Sequence, residues 1–330
     1  MLRILSLIFA FASALAACTG TSNSDSTANT ASSSRRDTIR FNADTAYAYV
    51  RDQVAFGPRI PGTDSHRRCA EWIVGTLADH GVDTIITQNA LLSAFNGDQL
   101  PSTNIMAMIN PEATSRVLLA AHYDTRPWAD NSQRKEDHGT PVLGANDGGS
   151  GVAVLLEIAR ALKDKRPEIG VDLLFVDAED YGTNEGWGLN EETWCLGTQY
   201  WAENNPYTDA NRPRYGIVLD MVGGTGARFH REYFSNANAH GVVDKVWGQA
   251  ARDGLSHVFI NEVGGSLVDD HIFINRAGIP CIDIVECNNP HTGSFPPTWH
   301  TTHDDMAAID ATSLRAVGQT VLNVIVNERP

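Results

Sequence analysis

With 330 residues and 42% hydrophobic content, the chain has enough apolar mass to bury the core of a large α/β domain. Its formal net charge of −15 excludes nucleic acid and an anionic lipid surface as natural partners. An acidic surface of this kind mainly keeps a protein soluble.

Residues 1–17 read as an export signal: Arg3 supplies the positive start, residues 4–15 the apolar run, and Leu15-Ala-Ala-Cys18 the end. The run is too short for a comfortable membrane span. Leu-Ala-Ala-Cys resembles a bacterial lipobox, which implies cleavage before Cys18 and lipidation of that cysteine; plain secretion is the alternative. Residues 19–36 are almost wholly Ser, Thr, Asn, Asp, Gly and Ala, so 18–40 is expected to be a flexible linker. The expected location is that of an exported lipoprotein on the periplasmic or cell-surface side, touching the membrane only through its lipid anchor.

Residues 41–330 are expected to form one domain. Residues 41–54 carry apolar positions at helical spacing, Phe56-Gly-Pro-Arg-Ile-Pro-Gly62 punctuates the chain as a loop, and 65–80 is helical again. Strands follow at 84–87, 104–109 and 117–122. The Gly-rich segment 142–151 then leads into a helix at 152–162. Continuous apolar runs at 171–176, 215–219 and 279–285 suit strands covered on both faces. Alternation with helices at 241–253, 270–276 and 311–327 predicts an α/β three-layer sandwich, a central and mostly parallel twisted sheet flanked by helices. Cys69, Cys195, Cys281 and Cys287 form no CxxC pair, which argues against a cysteine zinc site.

Catalytic residues in such sheets gather where strands end in loops at their C-terminal side. Asp124, Glu179, Asp180 and Asp220 all stand at or just beyond strand ends. Asp147 stands just ahead of a helix, as either a cap or a metal ligand. His122 and Asp124 share a strand face, so one can ligate while the other fixes its tautomer. Glu179 and Asp180 point apart, which lets one hold a metal while the other moves protons. The segment Trp299-His300-Thr-Thr-His303-Asp-Asp305 adds two imidazoles. With no GxSxG motif or P-loop present, carboxylates plus imidazoles select zinc or a similar divalent ion.

The motifs HYD at 122–124, NDGGSG at 146–151, AED at 178–180, LDMVG at 219–223 and HTTHD at 300–304 resemble the zinc-dependent aminopeptidase clan in order and spacing. FGPRIPG at 56–62, AHYDTRPW at 121–128, DDHIFI at 269–274 and the Trp before His300 are similar to the bacterial, animal-type (type II) glutaminyl cyclase branch. The resemblance implies one catalytic zinc on Asp147, Asp180 and His300. It makes Glu179 the proton shuttle, Asp220 and Asp269 a supporting acidic network, and Trp299 the packing partner of the substrate side chain. We assign Trp187 to the same substrate wall, with Trp128 and Trp194 as further candidates. The animal branch has Glu–Glu where this chain has Glu179-Asp180, a ligand arm one methylene shorter.

The activity so implied is cyclisation of N-terminal glutamine on peptides or proteins to pyroglutamate, with loss of ammonia. The runner-up is a di-zinc aminopeptidase, with His122, Asp147 and Asp220 on one ion and Asp147, Asp180 and His300 on the other. A catalytically dead peptide-binding lipoprotein ranks below both, because no ligand or base is missing.

Overall fold

Apolar runs too long to have a wet face become the middle of a sheet. In chain order the strands are β1 (Thr84–Ser93), β2 (Gln99–Ile109), β3 (Arg116–His122), β4 (Gly170–Val176), β5 (Gly216–Leu219), β6 (Phe229–Arg231), β7 (Phe259–Val263) and β8 (Cys281–Ile284). Six of them form one sheet in the order β1-β2-β4-β3-β5-β8, while β6 and β7 pair separately. The β4-β3, β3-β5 and β5-β8 pairings are parallel, and β1-β2 and β2-β4 are antiparallel. Every residue of β3, β4, β5 and β8 is buried.

This computed structural model describes residues 39–185 and 190–330, which belong to a compact unit spanning Ile39–Pro330. The export signal, Cys18, nearly all of the expected linker and Trp187 lie outside the described residues. Ile39 already belongs to the folded unit, its carbonyl accepting a hydrogen bond from Gln319 Nε2 at 3.1 Å.

The α-helices among the described residues are α1 (Ala43–Val54), α2 (Asp64–Asp79), α3 (Gly149–Leu162), α4 (Leu196–Asn204), α5 (Tyr233–Asn238), α6 (His240–Arg252), α7 (Asp270–Arg276) and α8 (Ala311–Asn327). Strand side chains alternate between two cores, as the two-residue period requires. Val117, Leu119 and Ala121 of β3 pack with α1, α2, α3, α6 and α8, whereas Leu118 and Ala120 pack with Trp201 of α4 and Ile274 of α7. The expected α/β sandwich with a mostly parallel central sheet is thus the observed fold. Helix α3 lies so close to β5 that a Cβ on Gly151 would come within 2.1 Å of the Leu219 carbonyl oxygen. That contact ties the Gly-rich segment to the sheet and fixes where Asp147 stands.

Elements β6, β7 and α5 have no expected counterpart, and two further departures concern β1 and α4. The strand expected at 84–87 runs on to Ser93 and pairs antiparallel with β2, because its outer positions are solvated and give no apolar run to read. Helix α4 follows Cys195, a residue in left-handed conformation (φ 55°) at the cap position that offers no side-chain cap, so no start signal precedes it. Among the described residues, no helix is long and apolar enough to cross a membrane.

Candidate active site

The C-terminal ends of three parallel strands open on one side of the sheet. β3 ends at His122 and leads to Asp124, β4 leads to Glu179 and Asp180, and β5 leads to Asp220. Asp147 meets them from the start of α3. It is not a cap: Gly148 holds that position at φ 81° with no side-chain hydrogen bond. Only glycine fits there, since a Cβ would lie 2.9 Å from the Asp124 carbonyl oxygen and 3.0 Å from His122 Cε1. The Asp147 carboxylate therefore faces the two histidines. His122 Nε2 lies 3.1 Å from Asp147 Oδ1, and His300 Nε2 lies 3.6 Å from Asp147 Oδ2.

Two triads of ligand atoms share Asp147. Asp147, Asp180 and His300 form one and His122, Asp147 and Asp220 the other, with the atoms of each within 4.8 Å of one another and all residues buried. In the first, His300 Nε2 and Asp180 Oδ1 stand 2.9 Å apart, yet Asp180 Oδ1 has no aligned hydrogen bond. Burial, and then the neighbouring Arg126 guanidinium, push the His300 imidazole down to about 3, so it stays neutral. Burial pushes the Asp180 carboxyl up to about 7. A neutral imidazole and a carboxylate converging without a shared proton are a fit for a divalent cation, and the oxygen and nitrogen donors suit zinc. In the second triad, His122 Nε2 lies 3.3 Å from Asp220 Oδ1. Burial lowers the His122 pKa, but the carboxylates of Asp124, Asp147 and Asp220 outweigh it and hold it well above the usual imidazole range.

The loops that aim these groups are strained and braced. Ala178, Met221 and His300 all have positive φ, at 51°, 48° and 55°, next to or at site residues. Asp124, fully buried, accepts the backbone N–H groups of Glu179 and Asp180, each at 3.1 Å. Asp304 does the same for Asn146 at 2.8 Å and Asp147 at 3.0 Å. Arg126 donates from Nη1 to the Asp180 carbonyl at 3.0 Å and grips Asp130 with Nε and Nη2, while Asp130 Oδ1 lies 3.6 Å from His300 Nδ1.

A cavity of about 480 Å³ opens over the first triad, lined by Glu179, Asp220, Trp194, Asp269, Phe295 and Trp299 among others. The Trp299 ring lies nearly parallel to the His300 ring, with centroids 3.8 Å apart at 25°; Trp194 is also nearly parallel to it, at 5.9 Å and 18°. Burial pushes the Glu179 carboxyl well up, with Asp180 and Asp269 adding to the effect against His122.

The sequence description of peptidase family M28 matches residues 104–325, two thirds of the chain. The chain belongs to peptidase family M28. Among solved structures, this M28 chain is 50% identical to a glutaminyl cyclase of Bacteroides thetaiotaomicron bound to N-acetylhistamine; the match covers 88% of this chain and 99% of that one, with a TM-score of 0.84. It is 47% identical to the glutaminyl cyclase of Tannerella forsythia, covering 88% and 100% of the two chains, with a TM-score of 0.83. A glutaminyl-peptide cyclotransferase of Drosophila melanogaster is 26% identical over 77% of this chain and 72% of its own. Some similar proteins carry aminopeptidase names instead.

The structure gathers the expected site residues of this M28 domain with some differences of detail. Asp147, Asp180, His300, Glu179, Asp220, Asp269, Trp299 and Trp194 all line the cavity. Trp128 stands apart, edge-on to Tyr181 and Phe95 beside a neighbouring cavity, and His303 is exposed. Asp220 is bonded to His122, and Asp269 turns its side chain back to the N–H of Asp270, where it caps α7. The bracing roles of Asp304, Arg126 and Asp130 escape sequence reading, because each acts through backbone atoms or a residue distant in the chain.

Proposed function

We propose that the chain is a glutaminyl-peptide cyclotransferase, converting the N-terminal glutamine of peptides or proteins to pyroglutamate with release of ammonia. The observation that carries this is the single cavity in which Glu179 and the Trp299 indole flank the Asp147, Asp180 and His300 triad. The cyclase names of the similar structures support it. Asp147, Asp180 and His300 are the residues to hold one zinc ion. When bound there, zinc supplies Lewis-acid polarisation of the glutamine side-chain carbonyl.

The chain's own residues do the rest. Glu179 takes a proton from the α-amine and returns it to the side-chain nitrogen. The bond from the α-nitrogen to the side-chain carbonyl carbon forms, the bond from that carbon to the amide nitrogen breaks, and ammonia leaves. Nucleophile and carbonyl belong to one residue, so packing the side chain against Trp299 lowers the barrier by proximity. The aromatic wall also keeps out the water that the reaction does not use. We further propose that lipid on Cys18 tethers the domain outside the cytoplasm; the support is the Leu15-Ala-Ala-Cys18 motif and the polar stretch after it.

The second reading is a two-ion aminopeptidase, favoured by the ligand geometry of His122, Asp147 and Asp220. Ammonia release decides between them. The cyclase liberates ammonia from a glutamine-first peptide and none from its N-acetylated form, whereas an aminopeptidase liberates amino acids.

A further inference from the structure

Glu179, Cys195 and Asp269 form a third set of converging ligand atoms, all within 4.8 Å of one another, with no residue in common with the triads around Asp147. Cys195 is buried. Its left-handed backbone is held by its own N–H, bonded to the Glu179 carbonyl at 2.9 Å, and its Sγ lies 3.3 Å from Glu179 Oε1 as hydrogen-bond donor. Asp269 is only 3% exposed, and while one of its oxygens caps α7, its buried Oδ2 receives no hydrogen bond from an N–H group of the described chain, and the side chain meets the Asp283 carboxyl. Glu179 and Asp269 line the cavity, so an ion entering it can reach the set.

We propose that Glu179, Cys195 and Asp269 form a binding site for a surplus thiophilic divalent cation such as zinc, and that filling it silences the enzyme. Ligand atoms on one tetrahedral zinc stand about 3.5 Å apart, given bonds of about 2.0 Å to oxygen and 2.3 Å to sulfur. Side-chain rotation of about an ångström therefore closes the set on an ion. The thiol S–H bond breaks, the sulfur lone pair binds the metal, and the proton leaves to solvent. A thiolate with two carboxylates selects zinc or cadmium over magnesium or calcium, which prefer oxygen alone. The inhibitory consequence, unlike the binding, rests on the proton-shuttle role proposed for Glu179: a carboxylate committed to a metal carries no proton.

Cadmium is the probe, because its thiolate bond gives a near-ultraviolet charge-transfer band. Added to the zinc-loaded full-length chain, it should bind as one further ion with that band, and cyclase activity should fall in step. In Cys195→Ser the band should vanish and the inhibition midpoint, referred to that variant's own starting rate, should rise by about tenfold or more. Cys287→Ser, which alters the cysteine that lines the cavity, should keep both responses. A band that persists in Cys195→Ser overturns the proposal. So does a further ion bound by the unaltered chain without a band, which belongs to His122, Asp147 and Asp220. A band in a chain that cyclises no glutamine leaves the site standing and sinks the cyclase reading instead.

Discussion

Asp304 holds Asp147 by the backbone: across 157 residues of chain, its Oδ2 accepts the Asp147 N–H at 3.0 Å. Its Oδ1 takes the N–H of Asn146, so one buried side chain fixes the entry to α3 and the direction of the shared ligand. Removing it leaves two buried amides unpaired and frees Asp147 to turn. Asp304→Ala should weaken zinc binding by about 10–100-fold, the usual effect of losing a group that orients a ligand. Competition against a chromophoric chelator measures this, and unaltered affinity would contradict the assigned role.

Glu179 lies outside the triad yet lines the same cavity, which separates proton transfer from metal holding. Glu179→Gln keeps the shape and removes the base. Turnover should drop by about 10²–10⁴-fold with the zinc content unchanged. Loss of zinc together with activity would mean that Glu179 and Asp180 have exchanged roles.

Asp220 bears on the number of ions. It bonds to His122, and those two with Asp147 form the second triad. If one ion serves the enzyme, Asp220→Asn should retain one zinc per chain, matching the unaltered protein. Elemental analysis showing two ions, falling to one in the variant, would establish the di-zinc arrangement.

His66 braces the site from the other side of the β4 loop. Its Nε2 lies 2.8 Å from Asp177 Oδ1, and that same oxygen accepts the backbone N–H of Ala178, one residue before Glu179. Burial lowers the His66 pKa, but Asp177 outweighs it and leaves the group raised. A raised folded-state pKa contributes stability that is complete below the unfolded value of about 6.5 and is lost as pH rises through the folded value. His66→Gln should therefore cost about 1–3 kcal/mol in acid, and the gap should narrow in alkali. Thermal melts across that range test the sign; a gap that widens with pH contradicts it.

Where burial is complete, the fold was legible in the sequence. β3 and β4 have every side chain covered and so read as unbroken apolar runs. The β1-β2 hairpin was underread, although Asn96-Gly97, with Gly97 at φ 90°, marks its turn. Asp180 was legible because loops after strands concentrate acids that have no packing reason to be there, whereas Asp147 and His300 were legible through the NDGGSG and HTTHD motifs. Their supports were not: Asp124 and Asp304 act on backbone N–H groups 55 or more residues away, and no local pattern encodes such a contact. The Arg126 grip on Asp130 has the ordinary spacing of a surface pair and acquires its meaning only from His300 beside it.

The most direct test of the central claim is mass spectrometry of a glutamine-first peptide incubated with the zinc-loaded protein. The account predicts a product lighter by one ammonia, blocked at its N-terminus and absent after chelation of the metal. Release of the free N-terminal residue, from this peptide and from peptides beginning with other amino acids, would contradict it and establish the two-ion aminopeptidase.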